Sequence, residues 1–301
     1  MKYFMGIDVG GTNVKFGEVT SDGEILKKKK YPSAEVGLNG AFVENFVALV
    51  KKRLDKSSND IREVGIGLPG TISEDRSTVL EVPNIPTLRG AKLLRELEKK
   101  IPKVNFHLEN DANAAALGEF YFGKAKLPPT FMFITLGTGV GGGAIINKKI
   151  FKGGDGNGME IGHIVASNGK TIEENIGKKG MIGFVREKLK SGYKSVIVDD
   201  DDLSSKVIAA AAEEGDPLAL EVYQMYGKYL GELIVSCVRI LDIKTILIGG
   251  GVAEAYDHLE ESMNKTIHQY LTPYYTDHLD IKLATLANKA GIIGAASLCF
   301  Q

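Results

Sequence analysis

The order of apolar and polar positions along the chain predicts alternating strands and helices. Short apolar runs at 3–9 and 63–68 predict buried strands, and apolar residues at helical spacing predict amphipathic helices at 39–55 and 217–241. After the first strand, a turn at Ser21-Asp22-Gly23 predicts a hairpin. This pattern is typical of a mixed α/β protein with an antiparallel edge.

A strand, a glycine turn and a second strand occur twice in the same register. Residues 4–19 (FMGIDVGGTNVKFGEV) and 131–146 (FMFITLGTGVGGGAII) lie 127 positions apart. Similarity at a constant offset predicts two structural halves, each of which begins with a glycine hairpin. A single glycine hairpin is commonplace, but two in register suggest that both turns bind one ligand.

Length, composition and charge narrow the class of protein. The 301 residues can form two domains, and 44% hydrophobic with 25% charged residues is typical of a soluble protein. A net charge of −1 argues against a nucleic-acid-binding surface, and no apolar run approaches the ~18 residues of a membrane span. The first strand begins within three residues of Met1, so we expect no signal peptide and a cytoplasmic protein.

Several residues that could suggest chemistry are better explained by structure. Tyr223 and Tyr226 lie on the apolar stripe of a helix and are expected in the core. The run Asp199–Asp202 predicts a solvated loop rather than a metal site, because consecutive side chains cannot all face one ion. Lys27–Lys30 predict the exposed face of an edge strand. Cys237 and Cys299 are expected to be buried free thiols.

The first glycine turn combines groups that suit a nucleotide phosphate. Without Cβ atoms at Gly10 and Gly11, phosphate oxygens can approach the main chain. The acid just before the turn suits Mg²⁺ held mainly through water. These candidates are Asp8, Gly10, Gly11, Thr12, Asn13 and Lys15.

The second turn offers similar donors without an acid, so the two turns together could clamp a polyphosphate. Its candidates are Thr135, Gly137, Thr138, Gly139 and Gly141. Neither turn has the GxxxxGK[ST] pattern of a P-loop. The turn at 137–142 also lacks the acidic residue that follows a dinucleotide-binding turn.

Five motifs together resemble a known family. DVGGTN, TLGTGVGGG and the late IGGGV are similar to the nucleotide-binding elements of the actin–hexokinase–Hsp70 superfamily. LENDANAAALGE and GMEIGH are similar to its ROK sugar-kinase branch. The resemblance adds Gly249, Gly250 and Gly251 to the ATP-binding candidates.

The resemblance implies a two-domain actin-like ATPase (ribonuclease H-like) fold of the α/β class. Each domain would be a mixed sheet flanked by helices, with a cleft between the domains. We expect residues 1–113 plus 288–301 to form a small domain with the first turn and the catalytic aspartate. Residues 114–287 would form a large domain with the second turn and the adenosine turn.

By position, the resemblance implies that Asp111 is the catalytic base. Phosphoryl transfer needs a group that orients the attacking hydroxyl and takes its proton, and a helix N-terminus favours a carboxylate. The alternative is that Asp111 only caps its helix. The implied sugar ligands are Gly70, Asn84, Asn110, Asp111, Glu160, His163 and Glu173, with Glu174 as the alternative to Glu173.

One segment departs from the family. Many relatives follow the histidine with CxCGxxGCxE, whose cysteines bind zinc, whereas this chain has HIVASNGKTIEENIGKKG. We therefore expect no structural zinc there, and the identity of the sugar is less certain because this loop shapes the sugar pocket.

The resemblance implies a Mg-ATP-dependent hexose 6-kinase of carbohydrate metabolism, with glucose as the first choice of substrate. N-acetylmannosamine is the main alternative, followed by fructose and N-acetylglucosamine. The donor could also be polyphosphate. A sugar-responsive repressor is less favoured, since the first turn leaves no room for a preceding DNA-binding domain. We expect a homodimer or homotetramer that binds neither nucleic acid nor membrane.

Overall fold

A computed structural model describes residues 1–82 and 84–301; Pro83, which we expected in a loop before a helix that carries Leu93 and Leu97, lies outside the described residues. The strands are β1 Tyr3–Val9, β2 Asn13–Thr20, β3 Ile25–Pro32, β4 Ile61–Leu68, β5 Thr71–Ile72, β6 Val79–Glu81, β7 Asn105–Asn110, β8 Phe131–Leu136, β9 Val140–Ile146, β10 Lys149–Ile150, β11 Thr245–Gly249 and β12 Asp280–Leu283. The α-helices are α1 Ser33–Val36, α2 Phe42–Asp55, α3 Leu93–Lys100, α4 Asp111–Phe122, α5 Ile172–Ile176, α6 Lys178–Lys190, α7 Ser205–Glu213, α8 Pro217–Leu241, α9 Tyr256–Tyr270, α10 Pro273–Thr276 and α11 Ala290–Ser297.

The chain folds into two compact units. Unit 1 comprises Met1–Thr130, Gly143–Met159 and Ala284–Gln301, and unit 2 comprises Phe131–Gly142 and Glu160–Leu283. All of α4 belongs to unit 1, whereas our predicted domain boundary falls within that helix. The predicted boundaries remain a prediction about the functional domains.

The first mixed sheet has the strand order β3-β2-β1-β4-β7. β1 pairs antiparallel with β2 and parallel with β4, which in turn pairs parallel with β7. Apolar side chains of these strands pack with α2 and α3 in one buried cluster. The lysines of β3 are exposed at the sheet edge, as the sequence predicts.

Helix α11 lies against the first sheet and α4. A Cβ at Gly65 of β4 would overlap the backbone of Ala295 in α11. Glycine is therefore required there for the helix to approach the sheet closely. The same approach brings the first turn of α11 to the end of β1, where Gly291 lies against the Asp8 carboxylate.

The second mixed sheet has the strand order β10-β9-β8-β11-β12. β11 pairs parallel with β8 and with β12. The two mixed sheets flanked by helices confirm the predicted α/β class, and both glycine turns join one strand to the next, as the repeat predicts.

Helix α8 spans the predicted residues, and its ends have clear causes. Pro217 occupies its first position, Asp216 accepts a hydrogen bond from Ala219 N at 2.9 Å, and Asp242 ends it in the left-handed conformation. Tyr223 and Tyr226 are buried, which confirms their prediction as core residues. Among residues 1–82 and 84–301, no helix is long and apolar enough to cross a bilayer.

Two further predictions have definite outcomes. Asp199–Asp202 are exposed, in agreement with a solvated loop. Cys237 and Cys299 are both free, but Cys299 is only half-buried because it lies in the 3-10 turn that ends the chain. The expectation that both thiols are buried is therefore wrong for Cys299.

Candidate active site

The first glycine turn lies between β1 and β2 in unit 1. Asp8, near the end of β1, receives a hydrogen bond and an ion pair from Lys15 Nζ at 2.8 Å. Gly10 N donates to Asn13 O at 2.9 Å, which closes the turn. The Lys15 ammonium thus pairs with the Asp8 carboxylate. The Lys15 side chain is also exposed at the surface, so it can bind an anion as well.

Ser33, which our sequence reasoning missed, braces the first turn. Its hydroxyl donates to Gly10 O at 2.6 Å, and its backbone N–H donates to Thr12 O at 2.9 Å. Ser33 thereby ties the carbonyls of Gly10 and Thr12 to the start of α1. The only signal in the sequence is a serine at a helix start, which is too common to be informative.

Parallel strands bring the acidic residues of unit 1 to one edge of the sheet. Asp8 of β1 pairs in register with Gly67 of β4, and Gly67 pairs with Glu109 of β7. Ligand sites in α/β proteins form at the carboxyl ends of such strands. The next residues of β7 and α4 are Asn110 and Asp111, so both lie at this edge.

Asn110 caps helix α4. Its Oδ1 accepts hydrogen bonds from Ala112 N at 2.9 Å and Asn113 N at 3.2 Å, while its Nδ2 donates to Gly70 O at 3.2 Å. Asp111 is the first helical residue, and its Oδ1 accepts from Ala112 N at 2.9 Å. The capping role that was the alternative for Asp111 therefore belongs chiefly to Asn110.

The two remaining sugar candidates of unit 1 lie beside these groups. Gly70 has φ of +89°, and a Cβ there would overlap the backbone of Glu81. A Cβ at Gly11 would be too close to the Asn84 side chain, so Asn84 lies directly against the first turn. Glycine at 70 and 11 thus allows both polar segments to approach each other.

A buried ion pair supports the Asn110–Asp111 segment, and sequence reasoning did not find it. Arg76 Nε donates to Glu109 Oε2 at 3.0 Å, with the two side chains 10% and 4% exposed. Glu109 Oε1 accepts from Asn110 N at 2.9 Å and Asn113 Nδ2 at 3.2 Å. No motif spacing connects Arg76 with Glu109, because the fold alone joins them.

In unit 2, the second glycine turn is held by Glu173. Its Oε2 accepts a hydrogen bond from Val140 N at 2.9 Å, and a Cβ at Gly139 would overlap this carboxylate. Lys178 N donates to Thr138 O at 3.0 Å on the other side of the turn. Space remains beside the backbone of this turn at Gly137, where no other part of the protein lies within 4 Å of an added Cβ.

Gly249, Gly250 and Gly251, the turn predicted to contact adenosine, follow the body of β11 beside the second glycine turn. Gly249 pairs in register with Thr135 of β8, and Gly250 has φ of +91°. A Cβ at Gly250 would overlap the backbone of Leu136, whereas Gly251 has open space around it. Two predicted nucleotide-binding segments are therefore neighbours in unit 2, and Gly141 is the second residue of β9, the strand that follows the second glycine turn.

Glu160, His163 and Glu173 are three ionisable residues that lie near one another in unit 2. Glu160 precedes the 3-10 turn Ile161–His163, in which His163 N donates to Glu160 O at 3.1 Å. Partial burial raises the pKa of the Glu160 carboxyl; the nearby His163 lowers it, and the negative charge of Glu173 raises it further.

Glu174 differs from Glu173 in its contacts. It forms a capping box with Thr171, in which Thr171 N donates to Glu174 Oε2 at 2.7 Å and Glu174 N donates to Thr171 Oγ1 at 3.1 Å. These contacts favour Glu173 as the sugar ligand. The only two cysteines of the chain, at 237 and 299, lie outside the segment after His163, so the residues there do not fit the thiolate zinc of relatives.

The comparisons with known proteins agree with these motifs. A glucokinase of Halalkalibacterium halodurans is 34% identical over 100% of this chain and 96% of its own. An N-acetyl-D-glucosamine kinase of Vibrio atlanticus is 29% identical over 98% of this chain and 99% of its own. A ROK family glucokinase from Streptomyces griseus, solved with glucose and AMPPNP, has a TM-score of 0.82 at 27% identity and covers 99% of both chains. The ROK family model matches residues 4–301, and the chain belongs to the ROK family.

Proposed function

We propose that the protein transfers the γ-phosphate of ATP to the 6-hydroxyl of a hexose, and that glucose is the preferred sugar. The observation that carries the proposal is the position of Asp111 at the N-terminus of α4. Asn110 caps this helix, and Glu109 holds the preceding backbone. The Asp111 carboxylate is thus presented at the same sheet edge as Asp8 and the first glycine turn.

The nucleotide would be held by the glycine turns. Gly137 and Gly251 have no atom within 4 Å of an added Cβ, so a ligand has room beside the backbone there. Backbone N–H groups of such turns bind phosphate oxygens. Thr12 and Asn13 would add side-chain donors from the first turn, as would Thr138 from the second.

Mg²⁺ fits the chemistry of the first turn. Asp8 offers a carboxylate that is 15% exposed, and hard oxygen ligands and water are what this ion prefers. When bound, Mg²⁺ would neutralise phosphate charge. Lys15, paired with Asp8, would add a second positive charge near the phosphates.

In the proposed reaction, Asp111 orients the sugar 6-hydroxyl and accepts its proton. The hydroxyl oxygen forms a bond to the γ-phosphorus, the bond to the β-phosphate oxygen breaks, and ADP leaves. Asn84, Asn110, Glu160, His163 and Glu173 would bind the other sugar hydroxyls. A missing hydroxyl would leave these polar groups unpaired, which gives selectivity between sugars.

Glucose is favoured because full-length relatives are glucokinases. An amino sugar is the second candidate, since the zinc-ligand cysteines are absent and one relative is an N-acetyl-D-glucosamine kinase. N-acetylmannosamine is the amino sugar we first expect, ahead of N-acetylglucosamine. A cytoplasmic location and a homodimer or homotetramer complete the proposal.

A panel of substrates tests the proposal. ADP release would be measured with glucose, N-acetylmannosamine, N-acetylglucosamine and fructose, and glucose phosphorylation would be repeated with polyphosphate as donor. We expect the highest kcat/KM for glucose with ATP. A higher kcat/KM for an amino sugar would overturn the choice of glucose, and sugar-independent ATP hydrolysis alone would overturn the kinase.

A further inference from the structure

Three potential metal ligands lie together on unit 1, apart from the residues of the proposed reaction. They are Glu63 on β4, His107 on β7 and Cys299 in the final 3-10 turn, Leu298–Phe300. Their ligand atoms all lie within 4.8 Å of one another. His107 Nε2 and Glu63 Oε2 are 2.8 Å apart.

The fold brings these residues together for a clear reason. β4 and β7 are parallel neighbours in which Glu63 pairs with Asn105 and Gly65 pairs with His107. Because alternate residues of a strand share a face, Glu63 and His107 project on the face that contains Gly65. Helix α11 covers Gly65, and the turn that follows α11 carries Cys299 onto the same face.

This donor set is chemically selective. Carboxylate oxygen, imidazole nitrogen and thiolate sulfur are the three ligand types that Zn²⁺ accepts, whereas a thiolate is a poor ligand for Mg²⁺ and Ca²⁺. Tetrahedral zinc with bonds of about 2.0–2.3 Å keeps its ligand atoms roughly 3.5 Å apart. The Glu63–His107 contact would therefore widen by less than about 1 Å, and the thiol would approach by at most about 1.3 Å from the 4.8 Å limit.

The surroundings also suit a bound ion. Asn105 Nδ2 donates to Glu63 Oε1 at 2.7 Å, which orients the carboxylate so that Oε2 faces His107. Hydrogen bonds from neighbouring residues to the ligand side chains commonly orient the ligands of a bound metal. The side chains of His107 and Glu63 are 38% and 32% exposed, so an ion and a water ligand can reach them.

We propose that Glu63, His107 and Cys299 bind one Zn²⁺ ion with water as the fourth ligand. The ion joins the C-terminal turn to strands β4 and β7. The site is separate from the segment after His163, where relatives carry zinc cysteines, and it uses neither the sugar nor the nucleotide candidates. It rests on unit 1 alone and does not depend on the proposed kinase activity.

Metal titration of the intact protein tests this site. After removal of metals with a chelator, Co²⁺ is added as a spectroscopic probe, and Zn²⁺ binding is measured by competition. We expect one ion per chain, a near-ultraviolet sulfur-to-cobalt charge-transfer band, and a higher Tm with Zn²⁺. Cys299→Ser should abolish the band and the Tm increase, and His107→Gln should weaken binding at least tenfold.

The second cysteine supplies the matched control. Cys237 is buried in α8 of unit 2, so Cys237→Ser should keep the band and the Zn²⁺ affinity. Folding of each variant is checked by its Tm without metal. Absence of a thiolate band in the unmodified protein, or equal Zn²⁺ affinity in Cys299→Ser and the unmodified protein, would overturn the proposal.

Discussion

Asn110 and Asp111 are adjacent in the sequence but have different contacts. The Asn110 side chain accepts two backbone hydrogen bonds at the start of α4, and Asp111 accepts one. Asn110 therefore provides the main side-chain cap of α4. The sequence left a capping role possible for Asp111, and the structure shows that Asn110 makes most of the capping contacts, while the catalytic role of Asp111 stays a prediction.

Replacement of the proposed base should affect the chemical step. We expect Asp111→Asn to lower kcat by roughly 10²–10⁴-fold with little change in ATP binding, because an amide cannot accept the hydroxyl proton. Steady-state kinetics and a nucleotide-binding measurement provide the test. Asp257→Asn, the same change in the first turn of α9, is the control, and an unchanged kcat in Asp111→Asn would contradict the role.

Glu160 should make sugar binding sensitive to acid. Its pKa is raised, so the carboxylate takes up a proton at a higher pH than an ordinary glutamate does. If the carboxylate accepts sugar hydrogen bonds, the KM for sugar rises as pH falls through this pKa. We would measure the KM for sugar from about pH 8 down to pH 5, an interval that lies just above the usual pKa of glutamate. Glu160→Gln should bind sugar more weakly and lose this pH dependence; the same acid limb in the variant would refute the assignment.

The buried Arg76–Glu109 ion pair should contribute strongly to the free energy of unfolding, although neither residue was singled out in the sequence analysis. Removing one partner of a buried ion pair costs about 3–5 kcal/mol, so Glu109→Gln should lower the free energy of unfolding by about that much. The exposed Arg62–Asp60 pair has similar geometry at 2.6 Å, and Asp60→Asn should cost at most about 1 kcal/mol. Urea denaturation compares the two, and equal losses would show that burial is irrelevant.

At the scale of elements, the pattern of the sequence predicted β1, β4 and α8 well because each has strong apolar periodicity and a clear end. Helices α6 and α9 were not predicted, although each has buried apolar positions, among them Met181 in α6 and Leu259 in α9. The contacts of Ser33 and Glu109 also could not be predicted, because they join residues that are distant in the sequence.

Helix α5 should position Glu173. Thr171 caps this helix, so Thr171→Ala should cost about 1 kcal/mol and raise the KM for sugar. Thr272 occupies the same position before α10 without a side-chain capping bond, so Thr272→Ala should change neither quantity. Thermal unfolding and sugar kinetics would test the pair, and an unchanged KM in Thr171→Ala would show that Glu173 does not depend on the cap.

At the scale of the molecule, the repeat of two glycine turns correctly indicated two mixed sheets. The resemblance led us to expect that residues 288–301 rejoin the first domain, but the sequence analysis did not expect residues 143–159, which also belong to unit 1. Apolar periodicity reports local structure and contains no information about such returns. The resemblance of motifs identified the family, while the sugar depends on a loop that differs from its relatives.

Product identification tests the central claim most directly. The protein would be incubated with Mg-ATP and either glucose or 6-deoxyglucose, and the products would be analysed by phosphorus NMR. The proposed reaction predicts glucose 6-phosphate and ADP in equal amounts from glucose, and no sugar phosphate from 6-deoxyglucose. Phosphorylation of 6-deoxyglucose, or ADP formed from glucose mixtures without sugar phosphate, would contradict it.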